Sequence, residues 1–226
     1  MNNDRPTVAL IHASSASVAP AQAAFADDFP DAQLWNLLDA RLVVDADRAG
    51  GLTPALHDRM STLIRYAVEA GAQAVQLSCS MYGPVAVAAS TQHPVPVLAS
   101  DQAMFEQVAA SGAGRVGVLG SLSSAAADSA GRLRAALAES SPDTVVAWRG
   151  VEGASAAANA HDLELLTKLM EAAAQALAAE VDLIVLAQYS LAPTLAAVAA
   201  ASPVPVLSPP HLAASSLRDR LVGSAT

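Results

Sequence analysis

Short runs of apolar residues, each bounded by glycine, proline or serine, recur along the chain. Strands that helices cover on both faces of a parallel sheet have this near-continuous apolar pattern. The runs therefore predict buried parallel strands, and Thr144–Trp148 is a candidate for one more. The six predicted strands are Val8–Ile11, Ala74–Leu77, Val95–Leu98, Val116–Leu119, Leu183–Leu186 and Val204–Leu207.

Two longer segments, Thr53–Ala70 and His161–Ala179, carry their apolar residues three and four positions apart. This spacing places the apolar side chains on one face of a helix, so both segments are predicted to be amphipathic helices. Strands that alternate with helices indicate βαβ units with right-handed crossovers. Ligands of such sheets bind beyond the carboxyl ends of the strands, and we expect functional residues there.

The chain contains an internal repeat. The pentapeptide Pro94–Leu98 is identical to Pro203–Leu207, and the difference 203 − 94 gives an offset of 109 residues. The same offset places Cys79 opposite Gln188. Repeats of this kind define the architecture before local patterns do, because each copy is one structural unit.

A second match lies further upstream. Val8–Ser15 corresponds to Val116–Ser123 at an offset of 108, and both segments are apolar runs that end in small hydroxyl residues. Two matches at nearly equal offsets predict two similar halves with the same order of strands and helices. The fold class is therefore α/β, in two pseudo-symmetric lobes.

Composition agrees with this architecture. The chain has 226 residues, of which 53% are hydrophobic and only 4% aromatic, which suits small-residue helices packed on parallel sheets. The formal net charge is −9 and the sequence has no basic cluster. Nucleic acid is therefore not an expected partner.

Targeting signals are not expected from the sequence. The first residues, Met1–Ser14, have a short apolar stretch without a charged lead-in, so no signal peptide is predicted. The other apolar runs are broken well before the ~20 residues that a membrane span needs. A single cysteine excludes a disulfide within the chain, and these features together predict a cytoplasmic protein.

The single cysteine is the first candidate for chemistry. Cys79 follows a predicted strand, stands between Ser78 and Ser80, and precedes Gly83-Pro84, which open the next segment. A buried cysteine is often only a small hydrophobic residue. At the start of a helix, however, amide N–H groups and the helix dipole favour the thiolate, so we interpret Cys79 as catalytic.

Serines follow the first strand of each half and form the second candidate feature. Hydroxyls and unpaired N–H groups at helix starts bind anions such as carboxylates, although serine also caps helices without binding any ligand. As a group, we interpret them as substrate contacts. They are Ser14, Ser15 and Ser17 in the first half, and Ser121, Ser123 and Ser124 in the second.

Histidines give little support for a metal site. None of the five has a partner at metal-ligand spacing, and Cys79 has no second thiol near it in the sequence. His12 ends the first predicted strand, where it could orient a substrate or tune the thiolate. No glycine-rich phosphate-binding motif occurs, so no nucleotide is predicted.

The strand ends resemble a known group of enzymes. The segments Leu77–Ser80, Gly117–Ser121 and Leu186–Ser190, with the paired halves, resemble the aspartate/glutamate racemase superfamily, from Val8 to about Arg218. That group also includes hydantoin racemases, maleate isomerase and arylmalonate decarboxylase. The resemblance implies an enzyme without a cofactor, a small carboxylate as substrate, and pairing of subunits as in many family members.

The resemblance also implies the details of the fold. Each lobe would hold a mainly four-stranded parallel sheet flanked by helices, with the active site in the cleft between the lobes. The C-terminal segment would return to the first lobe, which gives residues 1–100 plus 205–226 for the first lobe and 101–204 for the second. Further substrate contacts implied beside the strand ends are Ser78, Ser80, Met81, Gln188, Tyr189 and Ser190.

One position departs from the family pattern. The family's racemases place one cysteine from each lobe on opposite faces of the substrate, so that one takes a proton and the other delivers one. Here Cys79 is present, but the second position is Gln188, which is only a hydrogen-bond donor and acceptor. A proton relay between two thiols therefore cannot operate.

Three functions remain open from the sequence. The first is an isomerase or racemase that uses Cys79 alone, as a base or as a nucleophile that adds to a double bond. The second is a decarboxylase in which Cys79 protonates the enediolate that remains after carbon dioxide leaves. The third is a non-catalytic protein that binds a small carboxylate.

Overall fold

The computed structural model describes residues 5–223, which form two compact units. The first unit comprises the described residues up to Ala103 and again from Ala213 onward, and the second runs from Met104 to Leu212. The predicted boundaries between the lobes lay after residue 100 and after residue 204, whereas the units meet after Ala103 and after Leu212. Within residues 5–223, no helix is long and apolar enough to cross a membrane.

The first unit is built around a parallel sheet with the strand order β2-β1-β3-β4. Short 3-10 helices at Ser15–Ser17 and Ser80–Tyr82 follow β1 and β3. The elements are β1 (Thr7–His12), α1 (Val18–Asp28), β2 (Gln33–Leu38), α2 (Arg41–Ala49), α3 (Pro54–Glu69), β3 (Ala74–Leu77), α4 (Gly83–Ser90) and β4 (Val97–Leu98).

The second unit repeats this topology with the order β6-β5-β7-β8, again parallel throughout. The predicted α/β fold with two four-stranded parallel sheets is confirmed. A 3-10 helix at Tyr189–Thr194 follows β7. The elements from here to the C-terminal helix are α5 (Gln102–Ser111), β5 (Arg115–Gly120), α6 (Ser123–Leu137), β6 (Val145–Gly150), α7 (Ala154–Asn159), α8 (Leu163–Ala178), β7 (Leu183–Leu186), α9 (Leu195–Ala201), β8 (Val206–Leu207) and α10 (Pro209–Val222).

Two helices belong mainly to a different unit from the strand before them. Helix α5 follows β4, yet its Met104, Phe105 and Val108 pack in the core of the second unit. Helix α10 follows β8, but from Ala213 onward it belongs to the first unit, where the Arg218 guanidinium donates to the Asp28 carbonyl at 2.9 Å. The first unit is thus made of two separate stretches of chain.

Apolar patterning explains most of these elements. All four residues of β3 and of β7 are buried, as expected for strands covered on both faces. Helix α3 begins after Thr53, whose hydroxyl accepts from the Leu56 N–H at 3.3 Å, with a proline in its first turn. Its buried residues, Leu56, Met60, Ile64 and Ala67, follow the predicted helical spacing.

The proline-rich strands are shorter than predicted. Only Val97–Leu98 and Val206–Leu207 are in strand conformation, because Pro96 and Pro205 have no N–H to donate. Their carbonyls still accept hydrogen bonds from the neighbouring strands β3 and β7, at 2.8 and 2.9 Å. Strand β8 pairs with β7, which places residues 205–212 in the second unit and not in the predicted first lobe.

Candidate active site

Cys79 lies one residue beyond the end of β3, at the carboxyl end of the first sheet. Its backbone is extended, with φ −120° and ψ 119°, and it precedes the 3-10 helix Ser80–Tyr82 that leads into α4. Ser80 and Met81 are half-buried in this short helix. The predicted position of the thiol, between a strand and the start of a helix, is the one observed.

A buried polar network adjoins Cys79. His12, at the end of β1, has Nδ1 3.0 Å from the hydroxyls of both Ser17 and Ser78. Its Nε2 is 3.0 Å from Oδ1 of Asn36 in β2. His12 has no exposed surface, and Ser17 and Ser78 are also buried. The network therefore ties together the carboxyl ends of β1, β2 and β3 immediately before Cys79.

The hydrogen bonds define the tautomer of His12. When Nε2–H donates to the carboxamide oxygen of Asn36, Nδ1 is left as an acceptor. The Ser14 carbonyl can only accept, so Ser17 donates to it at 2.9 Å. The Ser78 hydroxyl can donate to Nδ1 at 3.0 Å or to the Ile11 carbonyl at 3.3 Å. Burial lowers the pKa of His12 below its ordinary value, and the bond to Asn36 opposes that shift. His12 is therefore neutral near pH 7.

We expect the protein to lose stability as the pH falls below 6.5, the ordinary pKa of His12. In the unfolded chain the imidazole takes up a proton near that pH, whereas burial holds the pKa lower in the folded protein. Between the two values the unfolded state binds more protons. The free energy of unfolding then decreases with falling pH, by at most about 1.4 kcal/mol per pH unit, and levels off below the folded pKa.

Denaturant unfolding of the wild type and of His12→Gln, between about pH 5 and 8, checks this expectation. Glutamine does not titrate in this range, while the other histidines contribute to both proteins alike. The stability difference between the two proteins should therefore change with pH in the stated direction. A difference that is constant across the range would contradict it.

The two serines nearest His12 in sequence have different roles. The Ser14 hydroxyl accepts from the Ala16 N–H at 3.3 Å and so caps the 3-10 helix Ser15–Ser17. Ser15 is exposed at the start of that helix. The structure thus places both at the predicted strand end, but Ser17 is the serine of this turn whose side chain joins the His12 network.

Tyr82 is a structural neighbour of the thiol. Its side chain is fully buried, and its hydroxyl donates to the Leu42 carbonyl at 2.9 Å. Burial, together with the charge of a nearby Cys79 thiolate, raises the pKa of Tyr82 to about 12. The phenol therefore stays protonated near neutral pH and supports the wall behind Cys79.

Gln188 occupies the matching position of the second sheet. It lies one residue beyond the end of β7, and its backbone is extended, with φ −140° and ψ 146°. The preceding Ala187 N–H donates to the Leu119 carbonyl, just as the Ser78 N–H donates to the carbonyl of Ile11. Cys79 and Gln188 are therefore equivalent in structure as well as in the sequence repeat.

Ser121 holds the Gln188 side chain. Both the N–H and the hydroxyl of Ser121 lie 2.9 Å from Oε1 of Gln188. Of the other predicted contacts in this unit, Ser123 and Ser124 are exposed in the first turn of α6. Tyr189 is buried and Ser190 half-buried in the 3-10 helix that follows.

A groove of about 710 Å³ lies at the carboxyl ends of β5 and β6. Ser121 and Ser123 line it from one side, and the segment from Gly150 to Asn159 from the other. Glu152 is the charged side chain among the lining residues that the structure describes. The groove therefore offers neutral polar groups and one negative charge to a ligand.

Sequence reasoning missed several residues of these sites. Asn36 lies in β2, which was not predicted because its residues are mostly half-buried and form no continuous apolar run. A polar residue within the weakly apolar segment Gln33–Leu38 was the available signal. The groove residues Gly150 and Glu152 carry no motif at all.

Over the part of the chain that the structure describes, no group of three or more His, Cys, Asp or Glu side chains could hold a metal ion. The sites instead consist of one thiol, the His12 imidazole, hydroxyls, amides and backbone N–H groups, with the Glu152 carboxylate in the groove.

Racemases of known structure share this α/β fold. Allantoin racemase from Klebsiella pneumoniae is 17% identical, with a TM-score of 0.73, and the match covers 97% of this chain and 89% of that one. Picrophilus torridus aspartate racemase is 12% identical, also with a TM-score of 0.73, over 95% of this chain and 94% of that one. Arylmalonate decarboxylase is 22% identical, with a TM-score of 0.67, over 98% and 94%.

These similarities define the fold class, and the sequence itself defines the family. The family described as Asp/Glu/Hydantoin racemase matches residues 12–217, and the chain belongs to it. Individual curated sequences gave no significant match. The resemblance predicted from the strand-end segments is thereby confirmed.

Proposed function

We propose that this protein is a cofactor-independent enzyme of the racemase and isomerase type, active in the cytoplasm on a small carboxylate, with Cys79 as its acid–base group. One observation carries the proposal: Cys79 and Gln188 occupy equivalent positions after β3 and β7, and only Cys79 can transfer a proton. Family membership supports the general reaction class.

The proposed reaction is reversible proton transfer at the carbon next to the carboxylate. The Cys79 thiolate takes the proton, so the C–H bond breaks, an S–H bond forms, and the electron pair moves into the carboxylate to give an enediolate. The thiol then returns the proton to the same face, or a water on the opposite face supplies a proton, inverts the carbon, and leaves a hydroxide that takes up the thiol proton. Neutral donors such as Ser80 would hold the oxygens.

A decarboxylase is the second candidate. With one thiol and an amide at the matching position, Cys79 could protonate the enediolate formed when a malonate loses carbon dioxide. The apolar side chain of Met81, half-buried next to Ser80, suits a substrate with an apolar group. The likeness to arylmalonate decarboxylase is a likeness of fold, so this activity needs its own test.

A substrate panel in D₂O tests both candidates. The compounds are aspartate, glutamate, allantoin, maleate and an aryl-substituted malonate, with deuterium incorporation followed by NMR, configuration by chiral chromatography, and carbon dioxide release measured directly. Exchange or isomerisation supports the first candidate, whereas carbon dioxide release from the malonate supports the second.

Alkylation with iodoacetamide links any activity found to the thiol. Since Cys79 is the only cysteine, one added group per chain, counted by mass spectrometry, reports its modification alone. We expect activity to fall in proportion to that stoichiometry, because alkylated sulfur can neither accept nor donate a proton. Unmodified protein kept in the same buffer is the control, and full turnover by fully alkylated protein would reject the proposal.

A further inference from the structure

A second cavity, which shares no residue with the groove, lies between helices α3 and α4 of the first unit. Its volume is about 120 Å³, well above the roughly 10–15 Å³ that one water molecule needs. Among the described residues that line it, none is acidic. They are His57, Ser61 and Arg65 from α3, Ala88 and Ala89 from α4, and Gln92 and His93 from the segment that follows α4.

Helix α3 presents its three lining residues on one face, because they stand four positions apart. The Ser61 hydroxyl already donates to the His57 carbonyl at 2.9 Å. Nδ1 of His57 lies 3.6 Å from the exposed carboxylate of Asp58, which leaves Nε2 for a ligand. On the opposite side of the cavity, the small side chains of Ala88 and Ala89 leave the space open.

Arg65 differs from the other basic residues of the chain. The sequence has 12 lysines and arginines, and within residues 5–223 Arg65 is the one with neither an ion pair nor a hydrogen bond. Glu69 stands four positions further along α3, where helical ion pairs form, yet the two do not pair. In a protein with a net charge of −9, this guanidinium lacks a counter-ion of its own.

We propose that this cavity binds a phosphate group, held by Arg65, His57 and His93. A guanidinium can offer two parallel N–H bonds to the oxygens of a phosphate, and such charge-assisted bonds are the strong ones. The imidazoles and the Gln92 carboxamide add N–H donors from the other positions. The site is separate from the segment of Cys79 and does not depend on the proposed reaction.

The end of α4 does not oppose a bound anion. Free carbonyls at a helix C-terminus carry partial negative charge and repel anions. Here the Ala89 carbonyl accepts from the N–H groups of Gln92 and His93, at 2.9 and 3.1 Å. The Ala88 carbonyl accepts from the Thr91 hydroxyl at 2.9 Å. Both oxygens are therefore occupied by donors of the chain, in a helix of only eight residues.

A phosphate titration followed by NMR tests the site. The ring signals of His57 and His93, identified by their loss in His57→Gln and His93→Gln, should shift together when sodium phosphate is added at constant, near-neutral pH. Sodium chloride at equal ionic strength should leave them in place. Glycerol phosphate distinguishes the two sources of the group. Shifts with both compounds support a site for phosphate esters, whereas shifts with inorganic phosphate alone support a site for the free ion.

The variant Arg65→Gln locates the binding. Its affinity for inorganic phosphate, measured by calorimetry, should fall by about 10–100-fold, because hydrogen bonds to a charged group are lost. Arg48→Gln is the matched control, since it removes one charge from an exposed side chain of the same unit, and it should bind like the wild type. Wild-type affinity in Arg65→Gln would place the phosphate elsewhere and overturn the inference. Ring signals that neither phosphate compound moves would overturn it as well, whatever the variants do.

Discussion

Replacing Cys79 with serine should lower the rate of substrate deuterium exchange by about 10²–10⁴-fold, which is the usual contribution of a positioned acid–base group. Serine is similar in size to cysteine and places a hydroxyl where the thiol was. A hydroxyl is too weak an acid to exist as its anion near neutral pH. The loss should fall on kcat, since the donors that hold the substrate remain. Initial rates of exchange, measured by NMR in D₂O over a range of substrate concentrations, give kcat and KM.

A matched control keeps the composition constant. Combining Cys79→Ser with Ser90→Cys moves the thiol to an exposed position at the end of α4, where Ser90 bonds only to its own helix. This variant should remain as inactive as Cys79→Ser alone. Recovery of activity in the double variant would show that the position of the thiol does not matter. Unchanged turnover in Cys79→Ser would show that the thiol is not needed at all.

Replacing Gly150 with alanine should destabilise the second unit by about 1–3 kcal/mol and distort the groove. A Cβ at Gly150 would clash with the backbone nitrogen of Ser123 and would lie 2.5 Å from its Cα. Both are backbone atoms at the start of α6, so no flexible side chain can move aside. The end of β6 and the start of α6 must separate, and both line the groove.

Gly131→Ala is the comparison for this prediction. Gly131 lies within α6 and its added Cβ would meet no atom within 4 Å. Alanine in a helix interior should be neutral or stabilise by roughly 0.5–1 kcal/mol. Chemical denaturation of both variants provides the measurement, and equal stabilities would argue against the close packing of β6 on α6.

The repeat allowed the sequence to predict most of the fold. Identical Pro-Val-Pro-Val-Leu segments and matching apolar runs indicated two copies of one unit, and both sheets have the same strand order. The equivalence of Cys79 and Gln188 came from the same offset and agrees with their matching backbone bonds. Buried strands are readable in this way because helices cover both faces.

The polar contacts could not be predicted in the same way. Strand β2 lies at a sheet edge with mixed exposure, so Asn36 and its bond to His12 were missed together. The bond between Ser121 and Gln188 joins residues 67 positions apart, and no local pattern encodes it. Such contacts depend on strand neighbours, which only the folded topology supplies.

The two units have also diverged at equivalent positions. The offset of 108 places His12 opposite Gly120, since 12 + 108 = 120. In the first unit an imidazole fills this strand end, whereas in the second a Cβ at Gly120 would lie 2.8 Å from the Ala126 nitrogen. The second unit thus has close backbone packing at the position where the first unit has the His12 network beside Cys79.

The interrupted course of the first unit affects how the chain can fold as it is synthesised. Residues Met104–Leu212 form one continuous stretch, so the second unit can complete its core once they have left the ribosome. The first unit lacks the segment from Ala213 onward until that segment has been made after the second unit. The unit that carries Cys79 is therefore begun before the second unit and completed after it, and chains that stop before Ala213 would leave the thiol in an incomplete unit.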